Sequence, residues 1–276
     1  MIKIAVITAA DLIMEPISPT VGVHQCDGKR KPHGLIRASL KPAAACIAAL
    51  FLAGCAVQPH VAVKDTSRTF TTVVIDPGHG GKDSGTFSKG RKGPLVLEKV
   101  AALDVGLRLN EKLRAAGFQT VMTRRSDVFI PLDDRARISN RQTNAVYVSI
   151  HFNDSPRRKI HGIETYYNST PSIGLAERIE RHLDTVSKGE DRGVKYANFR
   201  VLRLNQYPAV LIECGFLSNK NEAVRAASPQ YRENLADRIA DAIYEQRFGS
   251  GDRLHHAVKI APAASSDAPV APASNQ

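Results

Sequence analysis

Hydrophobic and polar positions along residues 70–248 follow two alternating patterns, short apolar runs and longer segments with helical spacing. The short runs predict buried strands over 71–76, 118–123, 145–150, 162–167, 199–202 and 209–212. Apolar residues at three- and four-residue steps predict helices over 97–116, from about residue 133, after residue 167 and from residue 228 onward.

Strands that alternate with helices at short spacing are typical of α/β proteins. We therefore predict a single α/β domain over 70–248, with a twisted, mostly parallel sheet and helices on both faces. A mixed sheet is the alternative to a fully parallel one. A Pro-containing tether precedes the domain over 56–69, and an Ala/Pro/Ser tail without apolar periodicity follows it over 249–276. We predict that this tail is disordered.

Residues 1–55 have the pattern of an export signal rather than of a folded domain. Basic residues precede the apolar run 43–53, which is too short to span a bilayer. The run ends in Leu52-Ala53-Gly54-Cys55, which resembles the lipobox of bacterial lipoproteins, and this resemblance implies lipidation of Cys55. Residues 1–28 fit no signal pattern and indicate a start site assigned too early. The alternative is an ordinary apolar segment that ends in a cysteine.

A lipid on Cys55 implies attachment to a membrane of the cell envelope, with the domain facing the periplasm or the outer surface. Ala56 stands where an Asp would resemble an inner-membrane retention signal, which favours the outer membrane. Cys26 and Cys46 would be removed with the signal, so Cys214 would remain without a disulfide partner. We interpret Cys214 as a small core residue, with a catalytic thiol as the alternative.

The charge balance favours an acidic partner. Lys and Arg number 38 against 27 Asp and Glu, which gives a net charge of +11 and a pI of about 9.6. Such an excess attracts nucleic acid, an anionic membrane surface or an anionic cell-wall polymer. The chain has no Trp, and no basic run is interleaved with aromatic residues, which argues against a nucleic-acid partner.

Three residues at the ends of predicted elements form a candidate metal site. His79 follows the first strand in a glycine-rich loop, Glu98 lies in the first turn of the long helix, and His151 ends the third strand. Their spacings suit three elements that converge at one edge of a sheet. Two imidazoles and one carboxylate leave zinc an open fourth position for water, as in hydrolytic sites. Taken singly, each residue also has a purely structural explanation. Each His could be a structural hydrogen-bonding residue, and Glu98 could be an acid favoured by the helix dipole at the first turn.

A hydrolytic zinc site also needs a proton carrier. Glu213 is the candidate, because it ends the apolar strand 209–212 and a carboxylate is costly there unless it faces a polar cleft. Its alternative role is that of an ion-pair partner. Asn153, two residues beyond His151, is a candidate for binding substrate or orienting a ligand. Lys82, Asp83 and Arg135 are expected near the cleft without assigned roles.

Four segments carry a resemblance to the zinc-dependent N-acetylmuramoyl-L-alanine amidases of bacterial cell walls. They are Val74-Ile75-Asp76-Pro77-Gly78-His79-Gly80-Gly81, Glu98, Ser149-Ile150-His151-Phe152-Asn153 and Ile212-Glu213-Cys214-Gly215-Phe216-Leu217-Ser218-Asn219, within a match over about 71–246. The resemblance implies that His79, Glu98 and His151 bind one Zn²⁺ per chain and that Glu213 is the catalytic acid and base. The implied substrate is peptidoglycan, cleaved between the lactyl group of N-acetylmuramic acid and L-alanine in wall remodelling, cell separation or recycling.

Two departures from that family qualify the resemblance. Members governed by partner proteins carry an inserted helix that blocks the zinc, whereas 168–192 has room for one ordinary helix only. We therefore expect no such block, and dependence on an activator protein stays open. No wall-binding repeat flanks the domain. The alternatives are another zinc amide hydrolase, such as a peptidase or deacetylase, and an inactive wall-binding lipoprotein.

Overall fold

The computed structural model describes residues 61–88, 94–187 and 191–250. Cys55, the predicted signal and the predicted tail from residue 251 lie outside these ranges. Within them, no helix combines the length and the apolar character needed to span a membrane.

A six-stranded mixed sheet forms the centre of the domain, with strand order β2-β1-β3-β6-β4-β5. The four strands β2, β1, β3 and β6 run parallel, β4 is antiparallel to β6, and β5 is parallel to β4. The prediction of a single α/β domain with a mostly parallel sheet is confirmed. The strands are β1 Thr72–Pro77, β2 Gln119–Met122, β3 Ala145–Asn153, β4 Ile163–Tyr167, β5 Asp191–Tyr196 and β6 Ala209–Phe216.

Helices cover both faces of the sheet. The helices are α1 Glu98–Ala115, α2 Leu132–Asn140, α3 Ile173–Ser187, α4 Arg200–Arg203, α5 Lys220–Ala227 and α6 Pro229–Phe248. On one face α1, α3 and α6 bury a large core that includes Leu109, Leu183 and Ile239. On the other face a smaller core surrounds Tyr147 and Leu211 and is completed by residues of α4.

Three elements differ from the sequence prediction. The apolar residues predicted as a strand over 199–202 belong instead to the helical turn α4, because a short apolar run does not distinguish a strand from a buried helix. Strand β5 lacks an apolar run, and its side chains from Arg192 to Lys195 are half-buried. Helix α5 is short and begins at a cap, since the Asn219 side chain accepts hydrogen bonds from the amides of Asn221 and Glu222.

Residues before β1 are hydrogen-bonded to the domain. The Lys64 amide donates to the Gln206 carbonyl at 2.8 Å, and the Thr66 hydroxyl donates to the carbonyl of Ala145, the first residue of β3, at 2.5 Å. The Gln246 amide of α6 donates to the Ser67 carbonyl at 2.7 Å. The predicted boundary between tether and domain, at residue 70, therefore falls inside a segment that packs at the amino-terminal edge of the parallel strands.

Candidate metal and hydrolytic site

The carboxyl ends of β1, β3 and β6 bring the candidate residues to one edge of the sheet. His79 lies two residues beyond β1, His151 lies in β3 opposite Glu213 of β6, and Glu98 is the first residue of α1. Loops at this edge of a parallel sheet commonly carry ligand-binding groups. The parallel register explains why residues far apart in sequence become neighbours.

His79, Glu98 and His151 present three ligand atoms within 4.8 Å of one another. One Glu98 oxygen, Oε1, lies 2.9 Å from Nε2 of His79 and 2.9 Å from Nδ1 of His151. The two imidazole rings meet edge to face, with centroids 4.9 Å apart. The other Glu98 oxygen accepts a hydrogen bond from the Thr86 amide at 2.8 Å, which holds the carboxylate in place.

Electrostatics keep the Glu98 carboxylate charged. Burial raises the pKa of Glu98, but the neighbouring His79 and His151 lower it further, to well below its usual range. Burial lowers the pKa of His79, and the carboxylates of Glu98 and Asp83 outweigh it and raise that pKa to about 10. The carboxylate thus stabilises positive charge between the two rings, which is where a cation would lie. This donor set, two imidazole nitrogens and one carboxylate oxygen, fits a zinc ion.

Asp83 orients the first imidazole. Nδ1 of His79 lies 2.8 Å from Oδ2 of Asp83, so the ring donates a proton there, and Nε2, which faces Oε1 of Glu98, is the nitrogen that would bind a metal in place of its proton. Sequence analysis placed Asp83 near the cleft without a role. A carboxylate four residues beyond a candidate ligand His is the signal that would have found it.

We expect Asp83→Ala to weaken zinc binding about 10- to 100-fold, because the His79 ring loses the acceptor that fixes its tautomer. Competition against a zinc-binding dye measures the affinity, and thermal unfolding of the metal-free protein checks that the fold is intact. Asp237→Ala is the matched control, since Asp237 lies on α6 and is salt-bridged to Lys112, away from the ligands. Equal zinc affinity in the two variants would contradict the role of Asp83.

Two buried arginines hold the main chain around His79. Arg135 donates to the His79 carbonyl at 2.6 Å, and Arg124 donates to the carbonyls of Gly78 at 2.6 Å and Lys99 at 2.7 Å. Arg124 therefore links the His79 loop to the first turn of α1, next to Glu98. His79 itself has a φ of 59°, which is rare for a residue with a side chain. The arginines stabilise this conformation. Sequence analysis expected Arg135 near the cleft without a role and did not identify Arg124.

Gly78 makes room for the second imidazole. A Cβ atom on Gly78 would lie 2.3 Å from Cε1 of His151, closer than any stable contact. The glycine between the strand end and His79 is thus required by the packing of the two rings.

Asp76 anchors Arg135 beneath the site. The carboxylate accepts hydrogen bonds from Arg135 at 2.8 Å, Tyr147 at 2.5 Å, Ser149 at 2.8 Å and Thr123 at 2.5 Å. Burial raises the pKa of Asp76, but Arg135 and these hydroxyl donors lower it to about 2. The charged form is therefore the stable one in the folded protein.

We expect Asp76→Ala to lower the free energy of unfolding by about 3–5 kcal/mol at pH 7, because Arg135 is left buried without its counter-charge. Because the pKa of Asp76 is lowered on folding, the contribution is present above the ordinary pKa and is lost as the pH falls toward about 2. Urea unfolding measures the change. Asp134→Asn, in an exposed ion pair with Arg137, is the control and should change stability little. A loss no larger than the control's would contradict the prediction.

Glu213 borders the same cavity as the three candidate ligands. The cavity has a volume of about 350 Å³ and is lined by His79, Glu98, His151 and Glu213 at one end. Burial, followed by the negative charges of Glu98 and Glu164, raises the pKa of Glu213 well above its usual range. Its Oε2 atom is buried without a hydrogen-bond partner among the described residues. This environment favours the protonated form of the carboxyl group more than exposure to water would.

Asn153 does not line this cavity. Its side-chain amide donates to Oε2 of Glu164 at 3.0 Å. Glu164, opposite Glu213 in the β4–β6 register, also accepts from Arg192 at 2.5 Å and Lys195 at 2.7 Å. Sequence analysis did not identify Glu164, although an acid within an apolar strand signals a buried, paired carboxylate.

Cys214 points into the large core on the face opposite the candidate ligands. It is fully buried, and burial raises the pKa of its thiol well above the ordinary value. A thiol in this state is a poor nucleophile. These observations favour the small core residue over the catalytic thiol.

Nothing in the described part of the segment between β4 and β5 covers the candidate ligands. Its described residues form a single 3₁₀ turn, Thr170–Ser172, followed by α3, which packs against α6 and β4. None of them lines the cavity.

In comparisons with known proteins, residues 73–245 match the model of the N-acetylmuramoyl-L-alanine amidase family. The chain is 36% identical over 174 residues to N-acetylmuramoyl-L-alanine amidase LytC of Bacillus subtilis, covering 62% of this chain. It spans 34% of the length of LytC.

Solved structures of amidases share the fold. The catalytic domain of CwlV, an N-acetylmuramoyl-L-alanine amidase from Bacillus (Paenibacillus) polymyxa var. colistinus, is 36% identical with a TM-score of 0.60, over 64% of this chain and 97% of CwlV. An N-acetylmuramoyl-L-alanine amidase from Clostridium difficile 630 is 37% identical with a TM-score of 0.60, over 64% of this chain and 96% of that one. Both resemblances span the region that contains the candidate site.

Proposed function

This chain belongs to the N-acetylmuramoyl-L-alanine amidase family, and from that premise we propose that it is a zinc-dependent hydrolase of peptidoglycan. The bond cleaved is the amide between the lactyl group of N-acetylmuramic acid and the L-alanine of the stem peptide. The observation that carries the proposal is the convergence of His79, Glu98 and His151 beside Glu213 in one cavity. A wall-binding relic would not need both a set of ligands and a proton carrier.

His79 through Nε2, His151 through Nδ1 and Glu98 through Oε1 would hold the metal. A bound zinc ion would supply Lewis-acid chemistry toward the scissile carbonyl and the attacking water. Asp83 holds the proton on Nδ1 of His79, and Arg135 and Arg124 keep the loop carbonyls fixed, so the ligand atoms stay arranged around one point. Because these polar groups are already held in place, they do not need to reorient during the reaction.

Glu213 is the proposed acid and base. As a base it accepts a proton from the attacking water, and as an acid it returns that proton to the amine of L-alanine, which is the leaving group. Its raised pKa makes the carboxylate a stronger base than an exposed Glu, which favours uptake of the proton from the water. The unpartnered Oε2 atom has no competing hydrogen bond from the described residues. Asn153 has a proposed indirect role, since it supports Glu164 next to Glu213.

We also propose attachment to the cell envelope through a lipid on Cys55, with the catalytic domain 70–248 facing the periplasm. The lipobox resemblance over 52–55 supports this proposal, and Ala56 favours the outer membrane. Intact mass of the mature protein tests it. A mature chain that begins before Cys55 would overturn the lipid anchor without touching the proposed activity.

The activity is tested by digestion of purified peptidoglycan followed by mass spectrometry of the products. Release of intact stem peptides with a free L-alanine amine supports the amidase. Cleavage within the peptide, or loss of acetyl groups from the glycan, would instead identify a peptidase or a deacetylase. The digest uses the zinc-loaded protein, and the Glu213→Gln variant gives the background.

A further inference from the structure

Apolar residues form part of the cavity lining beside the candidate ligands. They are Phe129, Ile130 and Leu132, at and just before the start of α2, and Phe199 and Val201, at the start of α4. These residues contact apolar groups but do not by themselves distinguish the glycan arm of the substrate from its peptide arm.

Two arginines line the cavity, and they differ in availability. Arg135 is 2% exposed, and its guanidinium already donates to Asp76 and to main-chain carbonyls. The Arg200 side chain is 48% exposed and pairs with Asp133, whose side chain is 47% exposed. Of these two cations, only Arg200 can exchange its partner without leaving a buried charge unpaired.

The Arg200–Asp133 pair shows which ligand Arg200 can bind. Nε and Nη2 of Arg200 donate to the two oxygens of the Asp133 carboxylate, in the two-pronged geometry that matches a planar carboxylate. Such an exposed ion pair contributes little to stability, so a carboxylate on the substrate can replace Asp133 at small cost.

We propose that Arg200 is a specificity-determining residue that binds a free carboxylate on the peptide arm of the substrate. This inference rests on the proposed amidase function. The N-acetylated glycan is neutral along its sugars, whereas stem peptides carry carboxylates beyond the alanine. Charge complementarity therefore directs the peptide arm, rather than the glycan arm, toward Arg200.

Two defined substrates test the proposal. One is N-acetylmuramoyl-L-alanine extended by a residue with a free carboxylate, and the other is the same compound with that carboxylate converted to a carboxamide. We expect Arg200→Gln to lower kcat/KM for the acidic substrate by about three- to fivefold, mainly through KM, and to change the amide substrate less than about 1.5-fold.

A second variant and a control make the result specific. Asp133→Asn releases Arg200 from its partner, so we expect KM for the acidic substrate alone to fall about two- to fivefold. Arg137→Gln, in an exposed pair with Asp134 outside the cavity, should leave both substrates unchanged. Equal losses for both substrates in Arg200→Gln, or no gain in Asp133→Asn, would overturn the inference. If the wild-type protein cleaves neither compound but releases stem peptides from peptidoglycan, the inference about Arg200 fails, and if it also leaves peptidoglycan uncut, the proposed amidase function itself fails.

Discussion

Glu213→Gln is expected to lower kcat for muramoyl-alanine cleavage by about 10²- to 10⁴-fold while zinc remains bound. The glutamine keeps the size of the side chain, but it neither accepts nor returns a proton at the pH values at which turnover is measured. The environment of Glu213 explains so large an effect. Glu213 is 6% exposed and lines the cavity together with the candidate ligands, and its Oε2 has no hydrogen-bond partner among the described residues. Turnover of a purified muropeptide measures kcat, and metal analysis measures zinc content.

The pH profile separates a proton carrier from a structural carboxylate. The raised pKa of Glu213 predicts an activity limb well above the ordinary range of a Glu side chain, and this limb should disappear from the residual activity of Glu213→Gln. Glu177→Gln is a control on the exposed side of α3. A Glu213→Gln variant that keeps wild-type turnover with zinc bound would assign the acid and base role to another group.

Removal of zinc is expected to abolish activity, and addition of zinc to the stripped protein should restore it. Activity and metal content should rise together to one zinc per chain, because the three ligand atoms lie within 4.8 Å of one another. His79→Ala should lose both metal and activity, since it removes one of only two imidazoles in a three-residue donor set.

His161→Ala is the matched histidine control for the metal experiment. His161 is held by the Lys159 carbonyl in an exposed loop and does not line the cavity. It should retain zinc and turnover. Full activity of the wild-type protein after exhaustive chelation, with no metal detected, would contradict zinc dependence.

Much of the fold could be predicted from the spacing of apolar residues and from the residues that end each strand or helix. The strands β1, β3 and β6 are almost wholly buried, so their apolar runs stand out, and the helices α1 and α6 repeat apolar residues at helical steps. The positions of His79 and His151 followed from the ends of those strands. Edge strand β5 was not predicted because it lacks an apolar run, and the helical turn α4 was predicted as a strand because a short apolar run fits either element.

The roles of the two arginines that support the site could not be predicted from local sequence. Arg124 and Arg135 act through main-chain carbonyls, which any sequence supplies, and only the tertiary structure brings them to Gly78 and His79. The contacts of Glu164 with Asn153, Arg192 and Lys195 likewise depend on β4 running antiparallel beside β6. The pattern of apolar and polar residues does not determine that strand direction. Asn153 is close to His151 in sequence, and its side-chain amide donates to Glu164, so its role toward substrate or a ligand stays a prediction.

The hydrogen-bonded segment before β1 fixes where the chain enters the domain. Lys64 and Thr66 attach at the start of β3 and before β6, whereas the candidate ligands lie at the other ends of these strands. Strand β3 has nine residues, so the two edges are about 30 Å apart. None of residues 61–71 lines the cavity. The proposed polymeric substrate would therefore reach the cavity without meeting the segment that leads into β1.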